Sequence, residues 1–368
     1  MSVYEIVIWI MAAFAVLGAL DRIIGNRFGL GKEFERGFML LGTMSLSMTG
    51  MIVIAPFLAD VLQPVFDFFA NVLKLDPSVI PASLFANDMG GAPLSKEVAL
   101  NETVGGFNAL VVSSMMGCTI SFTIPFASSV VKPEQQREMF LGLLCGIITV
   151  PVGCFVAGLM CGLHPLAVLV NLLPLLILSV LIAAGLVFAP NGCIKVFSVF
   201  GKLMRAVSIL GLILAIFTFL TKITVNEHFD TLENAASICV NACVTLSGTL
   251  PLMFLVSKLL GKTMGKLGAK LGVDDVSAVS ALTTLVTNVP TFGAMEKINK
   301  KGVVLNAAFA VSAGFVFGGH LALTMAFDKS YVVPMIVGKL VSGIFAVVLG
   351  LILYKEKPTP VPANSEPK

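Results

Sequence analysis

The residue with the clearest capacity for chemistry is Asp88, an acidic side chain within the apolar stretch VIPASLFANDMGGAPLSKEVAL, residues 79–100. A carboxylate at the centre of a membrane helix costs roughly 2.5–3.5 kcal/mol on insertion scales, so it is expected to face a cation or a polar cavity. The Asn87 amide and the flexible backbone at Gly90 and Gly91 add hydrogen-bonding groups that a ligand can approach. The residue types therefore favour a cation-binding site, while a solvated loop acid remains the simpler interpretation.

A second group of polar residues carries no charge. Thr287, Asn288 and Thr291 lie together in another interrupted apolar stretch and offer two hydroxyls and an amide. His320 follows a Gly-Gly pair late in a later apolar run and is either a proton-sensitive residue or a buried packing residue. One carboxylate with neutral hydrogen-bonding groups fits a small monocation bearing a hydroxyl. It fits a dicarboxylate poorly, because no arginine lies near either stretch.

The composition places these residues in an integral membrane protein. Of 368 residues, 57% are hydrophobic and 12% charged, with a mean hydropathy of +0.97, whereas soluble chains carry about 25% charge. The net charge of +3 does not indicate nucleic-acid binding, because the basic residues lie between apolar runs. The seven cysteines lack CxxC or Cys/His spacing, which predicts packing residues and no metal site. No Walker, HExxH or GxSxG motif is present, and no cofactor is expected.

The apolar runs predict membrane helices, two of them interrupted. In residues 79–100, Gly90-Gly91 and Pro93 separate two arms of 8–10 residues, each about 12–15 Å long and therefore about half of a ~30 Å hydrocarbon core. Interrupted helices of this kind point to a transporter's substrate site. The predicted runs are Ile6–Leu20, Phe38–Leu62, Val79–Leu100, Val104–Val131, Met139–Leu163, Leu166–Ala189, about Ala206–Leu220, Ala235–Leu260, Val276–Ile298, Val303–Phe327 and Val332–Tyr354.

Positive charge predicts how these runs cross the membrane. If both interrupted segments enter and leave on one side, 19 Lys and Arg residues share one side against four on the other, with Lys339 inside a helix. If both segments crossed the membrane fully, the predicted loop 190–205 would lie on the opposite side of the membrane from the Arg22–Arg36 loop. The positive-inside bias favours the re-entrant arrangement, with nine crossings and a cytoplasmic C-terminus. The four residues on the outer side are Lys74, Lys96, Lys222 and Lys329.

The order of a helix, an interrupted segment and two further helices occurs twice. A shift of 201 residues pairs Asn87 with Asn288 and Gly117 with Gly318. Five predicted membrane crossings separate equivalent points of the two units. Because this number is odd, the two units have opposite orientation, which is the inverted-repeat plan of many secondary transporters.

The domain prediction follows from this order. We expect a single transmembrane domain over 1–354, with repeat one at about 1–163, a linker helix at 166–189 and repeat two at about 195–354. The segment 355–368 is rich in proline and is predicted to be a disordered cytoplasmic tail.

The motif DMGG, from Asp88 to Gly91, followed by Lys96-Glu97, resembles the ethanolamine-utilization transporter family, and the layout is similar over most of 1–354. The resemblance implies a multi-pass protein of the bacterial inner membrane that admits ethanolamine to a catabolic pathway.

We therefore predict an all-α polytopic membrane protein with inverted repeats, each with a broken or re-entrant helix. It would import ethanolamine by alternating access and would not be an enzyme. Its expected partners are ethanolamine and the lipid bilayer, without nucleic acid, and a homo-oligomer stays open. The alternatives are an ion-coupled symporter for another small amine, amino acid or organic anion, a passive facilitator channel, and an intramembrane enzyme with a second catalytic group near the carboxylate. The predicted binding residues are Asn87, Asp88, Gly90, Gly91, Thr287, Asn288, Thr291 and His320.

Overall fold

The computed structural model describes residues 3–355, and within this range the chain forms helices and loops without a strand. Seven helices in the described range are long and apolar enough to cross a membrane, or eight when one bent pair is taken as a single span. This confirms an all-α polytopic membrane protein. The predicted disordered tail lies, from residue 356 onward, outside the described residues.

Long helices alternate with short ones along the chain. The first half contains α1 (Val3–Ile23), α2 (Leu30–Val61), α3 (Gln63–Asp67), α4 (Val79–Leu84), α5 (Gly91–Glu97), α6 (Glu102–Phe107), α7 (Ile124–Val130) and α8 (Pro133–Met160). The second half contains α9 (Pro165–Asn171), α10 (Leu173–Phe188), α11 (Pro190–Thr221), α12 (Leu232–Leu271), α13 (Asp275–Thr284), α14 (Val289–Gly293), α15 (Lys300–Ala313), α16 (Gly319–Phe327) and α17 (Val332–Leu353).

Helix α11 corrects the prediction of a loop at 190–205 followed by a helix at Ala206–Leu220. The structure has one helix of 32 residues from Pro190 to Thr221. Its early cations, Lys195, Lys202 and Arg205, are exposed. Their long aliphatic stems lie along the helix while the charged ends reach toward water. The loop prediction was wrong because it took these charged residues as the sign of a loop, whereas they lie on a continuous helix.

Helix α12 also extends beyond its predicted run. It has 40 residues and ends at Leu271, just before Gly272, whose φ of 73° is the left-handed conformation typical of a helix C-terminus. At about 1.5 Å per residue it is roughly 60 Å long, about twice the thickness of a hydrocarbon core. Its last turns carry exposed lysines at four-residue spacing: Lys258, Lys262, Lys266 and Lys270.

The first interrupted segment is a helical hairpin, which we call the first hairpin (residues 76–101). Its arms α4 and α5 pack against each other, and with six and seven residues they are shorter than predicted. The Asp76 carboxylate accepts hydrogen bonds from the backbone N–H of Leu100 (3.1 Å) and Asn101 (3.0 Å). The two ends of the segment therefore lie side by side.

The second interrupted segment, the second hairpin (residues 274–299), is closed in the same way. The Asp274 carboxylate accepts from the backbone N–H of Asn299 at 2.7 Å. Asn306 Nδ2 donates to Ser277 Oγ at 2.7 Å, as Asn108 Nδ2 does to Ser78 Oγ at 2.8 Å. A shift of 198 residues pairs Asn108 with Asn306 and Asp76 with Asp274, and the two serines follow at a shift of 199. Equivalent side chains of the two segments therefore make equivalent hydrogen bonds.

The predicted run Val303–Phe327 is not one helix. Helix α15 ends at Ala313 and α16 begins at Gly319. Between them, Phe315 has a left-handed φ of 62°, which is uncommon outside glycine. Its backbone N–H donates to the Thr284 carbonyl (3.1 Å), and that of Phe317 donates to the Leu285 carbonyl (2.7 Å). The end of α13 thus accepts the hydrogen bonds that the interrupted helix gives up.

The equivalent helix of the first half, residues 102–130, is continuous but contains wider, π-helical turns. Residues Asn108–Gly117 and Thr119–Thr123 form π-helical turns between α6 and α7. Gly117 lies against the Phe85 carbonyl, and Gly318 lies against the Val286 carbonyl, with no room for a Cβ atom at either position. Both hairpins therefore approach their neighbouring helix at a glycine.

The seven cysteines are free thiols within helices or at their ends, and five of them are buried. The burial of these five thiols agrees with the prediction that the cysteines are small packing residues.

Candidate functional site

Asp88 lies at the turn of the first hairpin, in the short 3₁₀ helix Asn87–Met89 between α4 and α5. Its side chain is half-buried, and within residues 3–355 its carboxylate forms no ion pair. Gly90 follows with a φ of 107° and has the Met51 methyl group where a Cβ would lie. A left-handed backbone without a side chain is thus required for the chain to turn here. Among the described residues, the carboxylate at this turn therefore has no cation in direct contact.

Two asparagine amides beside the hairpin turns are only partly satisfied. Asn87 is fully buried, and its Oδ1 accepts from the Asp88 backbone N–H at 3.0 Å, while its Nδ2 has no partner among the described residues. Asn288 is also fully buried. Its Nδ2 lies 3.4 Å from Thr123 Oγ1, and its Oδ1 has no partner in the described range. Buried polar atoms are almost always paired, so each of these two atoms still has the capacity to bond to a ligand.

The hydroxyls of the second hairpin have different surroundings. Thr291 is buried, lies 2.8 Å from the Thr284 hydroxyl and donates to the Ser280 carbonyl at 3.1 Å. This hydroxyl holds α14 against α13. Thr287 lines a cavity of about 180 Å³ that also borders Arg36. Of the three predicted residues, Thr287 and Asn288 each have a polar group that can bond to a ligand. The Thr291 hydroxyl is already hydrogen-bonded within the protein.

His320 is the second residue of α16, immediately after the break, and not late in a helix as predicted. It is 4% exposed, and α16 packs against the Asn87–Met89 turn. Its ring lies 5.2 Å from that of Phe315 between centroids. The break therefore brings His320 beside the first hairpin, together with Asn87 and Asp88.

Lys339 is a buried lysine that was predicted to lie inside a helix but was not among the predicted binding residues. It is 0% exposed, its Nζ donates to the Ser114 carbonyl (2.6 Å), and it lies 3.0 Å from His320 Nδ1. No carboxylate among the described residues lies within 4.0 Å of it. The signal was present in the sequence, since Lys339 is the only charged residue in the run Val332–Tyr354.

The first hairpin turn, which carries Asp88, and α17, which carries Lys339, both pack against α16 and the π-helical stretch Asn108–Gly117. The thiol of Cys118 is within electrostatic range of both Asp88 and Lys339. Asn288 reaches the same region through Thr123, which lies on the π-helical stretch next to Cys118. The arrangement offers one carboxylate, two amide atoms and an imidazole, which suits binding of a small cation with a hydroxyl.

A salt bridge lies outside the membrane-spanning segments, between Lys132 and Glu296. The hydrogen bond between them raises the pKa of the Lys132 ammonium and lowers that of the Glu296 carboxyl. Gln135 Nε2 also donates to the Met295 carbonyl. The end of the second hairpin is thereby attached to the start of α8.

Comparison with known proteins shows the family to which the chain belongs. The family described as "Ethanolamine utilisation protein, EutH" matches residues 3–353. The chain is 40% identical over 351 residues to a probable ethanolamine permease EutH of Listeria monocytogenes, covering 95% of this chain and 94% of that protein. It is 34% identical to the protein of the same name from Salmonella typhimurium over 96% of both chains.

A further relative is the probable ethanolamine permease EutH of Escherichia coli, 33% identical over 100% of this chain and 99% of the relative. No solved structure matches the chain. The family match extends over nearly all of the described residues, and the identities exceed 30% over almost the whole length. The chain belongs to the EutH family of ethanolamine utilisation proteins.

Proposed function

We propose that this protein is a permease, and not an enzyme, that imports ethanolamine across the bacterial inner membrane. The names of its relatives support ethanolamine as the substrate. The observation that carries the proposal is the half-buried Asp88 carboxylate at the hairpin turn, which has no cation within 4.0 Å among residues 3–355. The cation that it lacks is supplied by the substrate.

Ethanolamine matches the groups around Asp88. A primary amine of this kind is mostly protonated at neutral pH, as lysine is. Its ammonium loses hydration on entering the membrane, and the carboxylate offsets that cost. The hydroxyl both donates and accepts, so it complements the Asn87 Nδ2 donor, the Asn288 Oδ1 acceptor and the His320 imidazole. Gly90 and Gly91 let the backbone approach the ligand closely.

The transport mechanism that we infer is alternating access between two inverted repeats with re-entrant hairpins. Asp76, at the start of the first hairpin, lines a cavity together with Val104, at the start of the helix 102–130. Glu296, near the end of the second hairpin, forms a salt bridge with Lys132, just past the other end of that helix. Opposite entry of the two hairpins and their matching asparagine hydrogen bonds support this plan. Rocking of the two units about the turns would expose the site to each side in succession.

Binding and uptake of labelled ethanolamine by Asp88→Asn test the proposal. Removing one partner of a desolvated charge pair typically costs about 2–5 kcal/mol, which is about 30-fold or more in affinity. We expect Asp88→Asn to insert and fold, as judged by its size-exclusion profile, and to lose most uptake into proteoliposomes. The matched control is Asp67→Asn, which changes an exposed carboxylate and should leave uptake unchanged. Near-normal binding by Asp88→Asn would show that this carboxylate does not hold the ammonium.

A further inference from the structure

We propose that Lys339 is the proton site of this transporter and that binding of a protonated amine at Asp88 releases the proton that Lys339 holds. The inference rests on the proposed amine site and adds the coupled ion. It accounts for a buried lysine that amine binding alone does not use.

Lys339 is poorly placed for a permanent charge. It is 0% exposed on α17, a helix that packs against α8, α15, α16 and the π-helical stretch Asn108–Gly117. An ammonium without a neighbouring carboxylate is costly in such a medium, and membrane-buried ionisable residues of this kind are usually functional. The titratable side chains that interact with it are the thiols of Cys118 and Cys154 and the His320 imidazole. None of these is an acid that would hold the lysine charged.

The hydrogen bonds of Lys339 fit both of its protonation states. As an ammonium, it donates to the Ser114 carbonyl and to Nδ1 of a His320 that is protonated at Nε2. As an amine, it still donates to Ser114 and accepts from a His320 protonated at Nδ1. Between these states the lysine proton passes to Nδ1, and one proton leaves from Nε2. A proton therefore leaves while both hydrogen bonds of the lysine are kept.

Asp88 links the proton to the substrate. Asp88 is the acidic residue of the first hairpin turn. This turn and α17, which carries Lys339, both pack against α16 and against the π-helical stretch Asn108–Gly117. When the site is empty, the charges of Asp88 and Lys339 sum to zero. When an ammonium binds Asp88, a charged Lys339 would leave an uncompensated positive charge in low dielectric. The neutral state is restored by release of one proton, so the exchange is electroneutral.

Proton release on binding is the direct test. Purified protein in weak buffer is titrated with ethanolamine between about pH 6 and 8, where the free amine stays mostly protonated. A pH-sensitive dye measures the protons, and labelled ethanolamine measures binding. Wild-type protein should release up to one proton per amine bound, and its affinity should rise up to tenfold per pH unit.

Two variants separate Lys339 from other sources of protons. Lys339→Met, which is permanently neutral, should bind ethanolamine without proton release, and its affinity should change less than twofold over the same range. Lys339→Arg, which is permanently charged, should also release no proton and should bind at least tenfold more weakly than the wild type. Size-exclusion profiles verify that both variants are folded.

The outcomes distinguish this inference from the proposed function. Wild-type binding without proton release would overturn the inference and leave ethanolamine transport intact, whether or not the variants fold. Proton release that persists in Lys339→Met would also overturn it, because the proton would then come from the amine or from another side chain. Absence of ethanolamine binding by the wild type would refute the proposed function itself.

Discussion

Replacing Asn288 by leucine should make the empty protein more stable while it weakens substrate binding. The Asn288 side chain is fully buried, and its Oδ1 has no partner among the described residues. A buried unsatisfied acceptor costs about 1–3 kcal/mol. The substitution removes the Nδ2 hydrogen bond to Thr123, which at 3.4 Å is long and contributes at the low end of about 0.5–1.5 kcal/mol. Leucine has a similar size, so the net change is about 1 kcal/mol of added stability.

Thermal unfolding with and without ethanolamine measures both effects. The empty Asn288→Leu protein should melt about 1–3 °C higher than the wild type. Ethanolamine at about 100 times its dissociation constant should stabilise the wild type by about 2.7 kcal/mol. In the variant the loss of one neutral hydrogen bond, about 0.5–1.5 kcal/mol, should weaken affinity about threefold to tenfold and reduce the ligand-induced shift.

Asn171→Leu is the matched control, because Asn171 is a buried asparagine whose amide is satisfied. It exchanges hydrogen bonds with Asn108, at 2.8 Å in one direction and 3.1 Å in the other. Its replacement leaves the Asn108 amide short of partners and should lower the melting temperature without changing ethanolamine affinity. If Asn288→Leu destabilises the empty protein as much as Asn171→Leu does, Asn288 has a structural role and the reasoning is wrong.

Three further predictions concern topology and packing. In a background without native cysteines, a cysteine that replaces Lys222 should react with an impermeant thiol reagent added outside intact cells. A cysteine that replaces Arg137 should not react, and labelling there would refute the re-entrant topology. Thr291→Ala should cost about 1 kcal/mol of stability and lower the melting temperature, since its hydroxyl joins α14 to α13. Its ethanolamine affinity should stay within about threefold of the wild type. Gly318→Ala should cost about 1–3 kcal/mol through overlap with a backbone carbonyl. Gly319→Ala, which has open space around its Cβ, should melt like the wild type.

The turn of the first hairpin was predictable because the sequence marks it with residues that disfavour a helix. Gly90, Gly91 and Pro93 fall in a run of otherwise helical character, and the structure turns there. The break at 314–318 has no such mark beyond its two terminal glycines, because its three inner residues are as apolar as the helices around them. Its position depends on the Thr284 and Leu285 carbonyls, which accept its backbone N–H groups from a different part of the chain.

The contacts of the candidate site could not be predicted for the same reason. The sequence shows that Lys339 lies within an apolar run, but the residues that it contacts come from elsewhere in the chain. Ser114 is 225 residues away and His320 is 19 residues away, across a helix break. Periodicity and hydropathy describe single segments, whereas a buried charge is stabilised by partners that only tertiary packing brings together.

The length of α12 places part of this protein among phospholipid headgroups. A helix about twice as long as the hydrocarbon core must leave it, and the end of α12 bears four exposed lysines at one-turn spacing: Lys258, Lys262, Lys266 and Lys270. Each lysine near an anionic leaflet contributes about 1 kcal/mol of attraction, within a screening length of about 8–10 Å. Phosphatidylglycerol or cardiolipin should therefore hold this helix end at the bilayer surface, and high ionic strength should release it. Reconstitution in purely zwitterionic lipid would then leave α12 without one of its supports, even though every contact within the protein is intact.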